Sequence, residues 1–394
     1  MPIYLDHAAT SPMPPEVLSA YVEALTVVGN PASIHSQGQN AKRMLEEARE
    51  RVATSVGADS VEVTFTGGGT EAVNLGIKGL YWARNTAGQR PRILVPEGEH
   101  HATVDAVEWL AQHEGAVIEW IPLDTLGRID LEALAAALAD DVALVTALWA
   151  NNEVGTIQPV TEIAALAAAH GVPVHIDAIA AYGYLPIDFH STRVAALSIS
   201  AHKIGGPVGA GALLIARSAT VVPLLHGGNQ QRARSGTQDA AGAVAFGLAA
   251  ERATADLAGA AATLEAVRDR LVSGIRSVVP EAIYRGDPSA AGRLPGNAHF
   301  TFPGCEGDSL LFLLDVAGFS VSTGSACQAG VPEASHVLTA MGLSEADARG
   351  ALRFTLGHDT TAAEVDALVA ALPAAVARAS RAGLSDRETT MGRS

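Results

Sequence analysis

The chain is poor in cysteine, in aromatic residues and in charge. Among 394 residues only Cys305 and Cys327 are cysteines, aromatic residues make up 5% and charged residues 17%. Two cysteines cannot build a disulfide framework or a multi-cysteine zinc site, so each thiol is either a packing group or a reactive one. Positive charge is scarce as well: 26 Lys and Arg against 42 Asp and Glu give a formal net charge of −16. Nucleic acids and anionic membranes are bound through excess positive charge, so neither is expected as a direct partner. No uninterrupted apolar run of about 18 residues is present, which excludes a membrane-spanning helix. The start, Met1-Pro-Ile-Tyr-Leu-Asp-His7, lacks a basic segment followed by an apolar one. No signal peptide is therefore expected, and the two free thiols suit a reducing, cytoplasmic compartment.

Apolar residues are plentiful at 48%, enough for a large core and for two or three domains in a chain of this length. Between residues 61 and 215 strand-like and helix-like stretches alternate. Val61 to Phe65, Ile93 to Val95, Val117 to Ile121, Val142 to Leu148, Val172 to Ile176, Leu197 to Ser200 and Gly211 to Ile215 read as strands. Helical spacing separates most of them, which predicts an α/β domain with a mostly parallel sheet. Residues 240–278 are alanine-rich and read as a helical connection to a smaller C-terminal domain. That domain has a strand near His299–Phe302, a helix at Ser309–Val316, a strand at Leu352–Thr355 and a last helix from Ala362. Residues 380–394 are polar and expected to fray.

The stretch Ser198-Ile-Ser-Ala-His-Lys-Ile-Gly-Gly-Pro207 carries the first chemical hint. Lys203 follows a short strand, and Gly205, Gly206, Gly209 and Gly211 come next. Small residues beside a strand-end lysine would let a flat ligand reach a Schiff-base amine. Gly67-Gly68-Gly69-Thr70 joins a strand to a helix, where backbone N–H groups and the helix dipole favour a phosphate. The spacing matches neither the dinucleotide nor the P-loop pattern, so a plain tight turn is the other reading.

Asp177 ends the strand Val174-His-Ile-Asp, at the edge where ligands bind in such sheets. It is either a carboxylate for a pyridinium nitrogen or a helix cap. His100 offers a ring for stacking and proton transfer, or lies on the surface with His101. Asn152, in Asn151-Asn152-Glu153, emerges after a buried strand. Arg353, inside an apolar strand, needs either an internal ion pair or a substrate carboxylate. Cys327 lies in Ser322-Thr-Gly-Ser-Ala-Cys-Gln-Ala-Gly330, whose small polar residues suggest an exposed, mobile loop, so that its thiol is either an inert small residue or a reactive group, whereas Cys305 reads as packing.

Taken in order, these motifs resemble the cysteine desulfurases, pyridoxal phosphate enzymes of aminotransferase fold-type I, class V. The likeness runs from Tyr4-Leu-Asp-His-Ala-Ala-Thr10 through Gly29-Asn-Pro-Ala-Ser33, Phe65-Thr-Gly-Gly-Gly-Thr-Glu71, Asn151-Asn-Glu-Val-Gly155, Ser200-Ala-His-Lys203, Arg234-Ser-Gly-Thr237 and Ser325-Ala-Cys327 to Leu352-Arg-Phe-Thr-Leu-Gly357. It implies a large domain over residues 12–255 with a seven-stranded, mostly parallel sheet. A smaller α+β domain would take residues 1–11 and 256–394 and carry the Cys327 loop.

By the same likeness Lys203 binds pyridoxal phosphate as a Schiff base, Asp177 pairs its ring nitrogen and His100 stacks on the ring. Gly69, Thr70, Ser200 and His202 hold its phosphate. Thr237 reaches the phosphate of a neighbouring subunit, which implies a homodimer. Asn152 and Arg353, with Asn30 nearby, bind the carboxylate of L-cysteine. Cys327 takes the sulfur as a persulfide, for delivery to a scaffold or acceptor protein of iron–sulfur assembly or tRNA thiolation. The sequence departs from the family at Ala180, where Asp177-Ala-Ile-Ala180 replaces an expected terminal glutamine, and at Ala334, where proline is frequent. The missing glutamine removes one hydrogen bond to the cofactor's phenolic oxygen, roughly 0.5–1.5 kcal/mol. That change leaves selenocysteine lysis or cysteine β-elimination as the alternative activity.

Overall fold

The computed structural model of the chain describes residues 2–85, 90–324 and 334–391. A two-residue strand, β1 (Ile3–Tyr4), opens it. The expected alternation then forms one sheet from β2 (Val63–Thr66), β3 (Arg92–Pro96), β4 (Val117–Ile121), β5 (Val142–Leu148), β6 (Val174–Asp177), β7 (Ala196–Ser200) and β8 (Gly211–Ile215). Its order is β2-β8-β7-β6-β5-β3-β4. Strands β3 to β7 run parallel, and β8 is antiparallel to both of its neighbours. Every residue of β5 is buried, as expected for a central parallel strand covered on both faces.

Helices α1 (Pro15–Leu25), α2 (Ser36–Ser55), α3 (Gly69–Arg84) and α4 (His101–Glu114) pack against the sheet. Val17, Leu45 and Val52 of α1 and α2 join the apolar cluster on one face of the sheet, with Phe246 of the helix Ala240–Thr254. α3 and α4 cover the other face through Val73, Ile77, Leu80 and Val107.

A polar row crosses the sheet beneath α3. His175 Nδ1 meets Thr146 Oγ1 at 2.9 Å and His175 Nε2 meets Ser198 Oγ at 2.8 Å. Residues two apart on a strand share a face, so Asp177 and Ser200 continue that row toward the C-terminal ends of β6 and β7. There α3 begins and no longer covers the sheet.

The C-terminal part builds an antiparallel sheet, β12-β10-β9, from β9 (Ile283–Arg285), β10 (Asn297–Thr301) and β12 (Ala351–Thr355). A further short strand, β11 (Phe319–Ser320), pairs in parallel with β1. Leu5 thereby enters the apolar cluster of Phe300, Leu310, Phe354 and Leu372. The strands β1, β9 and β11 have two or three residues each, too few to show a period in the sequence.

Residues 240–278 are helical as expected and are divided into two helices, Ala240–Thr254 and Leu257–Val278, because the Asp256 carboxylate accepts the Gly259 N–H at 3.1 Å and caps a new start. The last helix spans Ala362–Met391 instead of fraying from residue 380. Among the described residues no helix is long and apolar enough to cross a membrane.

Gly76 of α3 lies directly over the polar row. A Cβ there would stand 2.5 Å from His175 Cδ2 and 3.2 Å from Leu213 Cδ1. Gly76→Ala is therefore expected to destabilise the fold by about 1–3 kcal/mol, overriding alanine's better helix propensity. The measurement is the denaturant midpoint, which should fall at unchanged slope.

Candidate active site

Five strands deliver residues to one cavity of about 380 Å³ at the C-terminal edge of the sheet. Gly69 and Thr70 follow β2, Glu99 and His100 follow β3, and Asn152 and Glu153 follow β5. Asp177, Ile179 and Ala180 follow β6, and His202 and Lys203 follow β7. Asp6, Ser322, Gly324, His336 and Arg353 close the opposite side. Parallel strands that end level make this possible, since Leu148 lies in register with Asp177, and Asp177 with Ser198.

Asp177 is only 3% exposed, and one of its oxygens accepts the Ile179 N–H at 2.9 Å. Burial pushes its carboxyl up to about 6, against the opposing pull of that N–H and of the Lys203 charge. Burial lowers the Lys203 amine to about 8, while Asp177 works to keep it charged. A lysine so depressed has a substantial neutral fraction near neutral pH, which a carbonyl-binding amine requires.

The N–H of Ala102 donates to His100 Nδ1 at 3.0 Å, so the ring carries its proton on Nε2. Burial first, and then the charge on Lys203, lowers His100 to about 4, and the imidazole is neutral. His202 is also lowered, by burial and then by Lys203.

The recess at the start of α3 suits an anion. Gly68 has φ +138°, a conformation open to glycine alone, and a side chain on Gly69 would run into Ile179. Ser200 lies against Gly69 from below, and its buried hydroxyl has no partner among the described residues. An orphaned hydroxyl beside free helix N–H groups and Thr70 is a donor set for phosphate. Glu71 anchors the turn by accepting from Gly67 N–H at 2.7 Å and from Arg234 Nε at 3.0 Å. Together the anion recess, the buried carboxylate and the depressed amine fit a phosphorylated pyridine aldehyde on three separate groups.

Arg353 is 5% exposed and already doubly held: Nη2 donates to Asp6 at 2.8 Å and Nη1 to the Asn152 carbonyl at 2.9 Å, while Nε has no partner among the described residues. Of the two sequence readings of this residue, the structure shows the internal ion pair with Asp6. Asn30 is exposed in the turn before α2, where its side chain accepts the Ala32 N–H at 2.9 Å, and it does not line the cavity. Thr237 is likewise exposed and outside the cavity. Cys327 lies outside the described residues. Cys305 is a buried thiol, raised by burial, as expected of a packing residue.

The glycines after Lys203 serve another purpose than the one expected. A side chain at Gly205 would strike Pro14, one at Gly206 would strike Ala201, and one at Gly211 would strike the Gly68 backbone. They let chain segments approach each other, and none lines the cavity.

Sequence reasoning passed over Asp6, Glu99, Glu153 and His336. Glu99 is 2% exposed and accepts the Leu148 N–H at 2.8 Å, and burial, with Asp177 nearby, holds its carboxyl well above the usual range. His336 Nε2 donates to the Glu99 carbonyl at 2.8 Å. Glu99 and Glu153 stand beside His100 and Asn152 in the chain, and that adjacency was the available signal.

The aminotransferase class-V family profile matches residues 3–368, and the chain belongs to that family, whose members depend on pyridoxal phosphate. An IscS-like cysteine desulfurase of Mycobacterium tuberculosis is 52% identical over 388 residues, 97% of this chain and 98% of that one. Within the family the chain thus groups with the cysteine desulfurases. Among solved structures, a NifS-like protein superposes with a TM-score of 0.88 at 33% identity, covering 96% of this chain and all of that one. SspA in complex with cysteine gives a TM-score of 0.77 at 30% identity over 90% of this chain and 98% of its own.

Cofactor uptake by the cofactor-free protein should accelerate as pH rises, with a half-maximal rate near the Lys203 value of about 8, because only the neutral amine attacks an aldehyde. Absorbance-monitored reconstitution across pH 6–10 (roughly the window around that value) tests this. Asp177→Asn should move the profile to lower pH by removing the charge that favours protonated Lys203. Ala180→Gln should retain cofactor binding and alter the absorption spectrum of the bound cofactor, since it adds one neutral donor at the cavity wall.

Proposed function

We propose that the chain converts L-cysteine to L-alanine and moves the sulfur to Cys327 as a persulfide. The observation that carries this reading is the convergence of a depressed lysine, a buried carboxylate and an anion recess on one cavity. The printed name of the SspA structure, in complex with cysteine, supports the substrate.

Gly69, Thr70, Ser200 and His202 would hold the cofactor's phosphate, and Asp177 would keep its ring nitrogen protonated. Once bound, the cofactor supplies an electron sink for the bond broken at the substrate's Cα. Lys203 Nζ would bind the cofactor's aldehyde and would serve as the base for the substrate's Cα proton. His100 would lie against the cofactor's ring and keeps its own proton on Nε2. Arg353, whose Nε has no partner among the described residues, and Asn152 would orient the carboxylate, and Asn30, outside the cavity, has no part in this reading. The Cβ–S bond of cysteine breaks as an S–S bond forms on Cys327 Sγ, so L-cysteine and one thiol become L-alanine and one persulfide.

Two domains are the natural division: residues 12–255 around the main sheet, and residues 1–11 with 256–394 around the C-terminal sheet. Separate apolar clusters support it. A homodimer is supported by the exposed Thr237 and by a row of exposed apolar side chains on α1, Leu18, Val22 and Leu25. A cytoplasmic setting suits a free acceptor thiol, and a scaffold or acceptor protein would collect the persulfide.

Cys327→Ser is expected to keep the cofactor's colour and to lose nearly all sulfide release from L-cysteine under reductant. Product analysis decides the reaction type: alanine and sulfide in equal amounts support it, whereas pyruvate and ammonia would assign a β-elimination.

A further inference from the structure

His336 opens the short helix His336–Ala340 and stands on the wall of the cavity. Its Nε2 meets the Glu99 backbone carbonyl at 2.8 Å. A carbonyl oxygen only accepts, so Nε2 carries the proton and, in the neutral ring, Nδ1 carries the lone pair. Among the described residues Nδ1 has no partner, and it is not one of their buried unpartnered atoms, so it is open to an incoming group. The ring leans on that of His101, with centroids 5.0 Å apart.

The proposed reaction leaves a proton to be placed. As L-cysteine and an acceptor thiolate become L-alanine and a persulfide anion, an S–S bond forms and the Cβ–S bond breaks. The acceptor sulfur is oxidised, and Cβ is reduced and keeps the electron pair. The hydrogen lost from the substrate's thiol is the one that Cβ gains in becoming a methyl group. With the carboxylate at Arg353 and the amine at Lys203, the thiol would fall to the wall where His100, His101 and His336 stand. His100 cannot take a proton there: the Ala102 N–H holds its Nδ1, and Nε2 is already protonated. The carboxylates are engaged as well. Asp6 is paired with Arg353, Glu153 accepts the Ser335 hydroxyl, and Glu99 accepts the Leu148 N–H. His101 is turned outward, with 43% of its side chain exposed and Nδ1 3.9 Å from Asp105. His336 Nδ1 is the open base.

We propose that His336 is a further catalytic residue, whose Nδ1 takes the proton of the substrate's thiol as the S–S bond forms and returns it to Cβ as the Cβ–S bond breaks. This rests on the desulfurase reading of the site. The Glu99 carbonyl fixes the tautomer, and His100 and His336 then face the substrate with opposite polarity, one offering an N–H and the other a lone pair. A placed acid–base group of this kind contributes about 100- to 10,000-fold in rate.

The test incubates holoenzyme with L-alanine in heavy water and follows hydrogen exchange at Cα and at Cβ by NMR, which needs neither sulfur nor an acceptor thiol. Wild type is compared with His336→Gln, whose amide can still donate to the Glu99 carbonyl, and with His336→Ala and His101→Gln. Wild type should exchange both positions. His336→Gln should keep Cα exchange, which Lys203 performs, and lose Cβ exchange by about 100-fold or more. Added imidazole should restore part of the Cβ exchange in His336→Ala, which a purely structural role would not allow. In the cofactor-free protein, nitrogen NMR of labelled histidine, assigned with His336→Gln, should show the neutral His336 ring protonated at Nε2. Undiminished Cβ exchange in His336→Gln overturns the inference, as does a loss found in His101→Gln alone. So do equal losses at Cα and Cβ that imidazole does not restore, the Nδ1–H tautomer, and a wild type that exchanges Cα alone. A wild type that exchanges neither position and forms no alanine from L-cysteine overturns the desulfurase reading itself.

Discussion

A carboxylate buried at the end of a central strand is the constraint around which this molecule is arranged. Asp177 has little solvent and one backbone donor, and it is driven toward protonation by its surroundings. Such a group is unstable alone and well suited to a cationic partner. The nearby amine of Lys203 is pushed the opposite way, toward neutrality. Each is held away from its ordinary state by the same dry environment. A cofactor that brings a protonatable ring nitrogen and an aldehyde would relieve both.

The sheet makes that arrangement affordable. Because β5, β6 and β7 run parallel and end level, their following turns crowd one edge without any long connection crossing it. The polar row of Thr146, His175 and Ser198 is fully hydrogen-bonded beneath α3. Two residues further along the strands the cover ends, and the same row supplies Asp177 and the unpartnered Ser200 hydroxyl. The site is thus the open end of a buried polar network. Its far wall comes from the other end of the chain, where Asp6 and Arg353 are brought together by the pairing of β1 with β11 and by the Leu5–Thr355 backbone bond of 2.8 Å.

Much of this was legible beforehand. The strands of the main sheet were marked by apolar stretches, and their ends by Gly69, His100, Asn152, Asp177 and Lys203. Those residues do meet in one cavity. What stayed hidden depended on partners far away in the chain. The two- and three-residue strands have no period of their own, and the break at Asp256 rests on one capping hydrogen bond. The glycines after Lys203 looked like room for a ligand, yet they serve the close approach of Pro14, Ala201 and Gly68. Glu99 and Glu153 drew no role of their own, since acidic residues are seldom buried.

From the sequence by itself came the class of fold, the order of the motifs and the family they resemble, since these follow from local periodicity and from residues a few positions apart. Tertiary structure alone decided which charges are dry and which atoms are left without partners. It shifted Lys203, Asp177 and His100 away from their ordinary protonation, gave Arg353 an internal partner, and brought the Ser335 hydroxyl against the Glu153 carboxylate. Those outcomes depend on burial and on contacts between residues a hundred or more positions apart, and no local pattern in the chain encodes either.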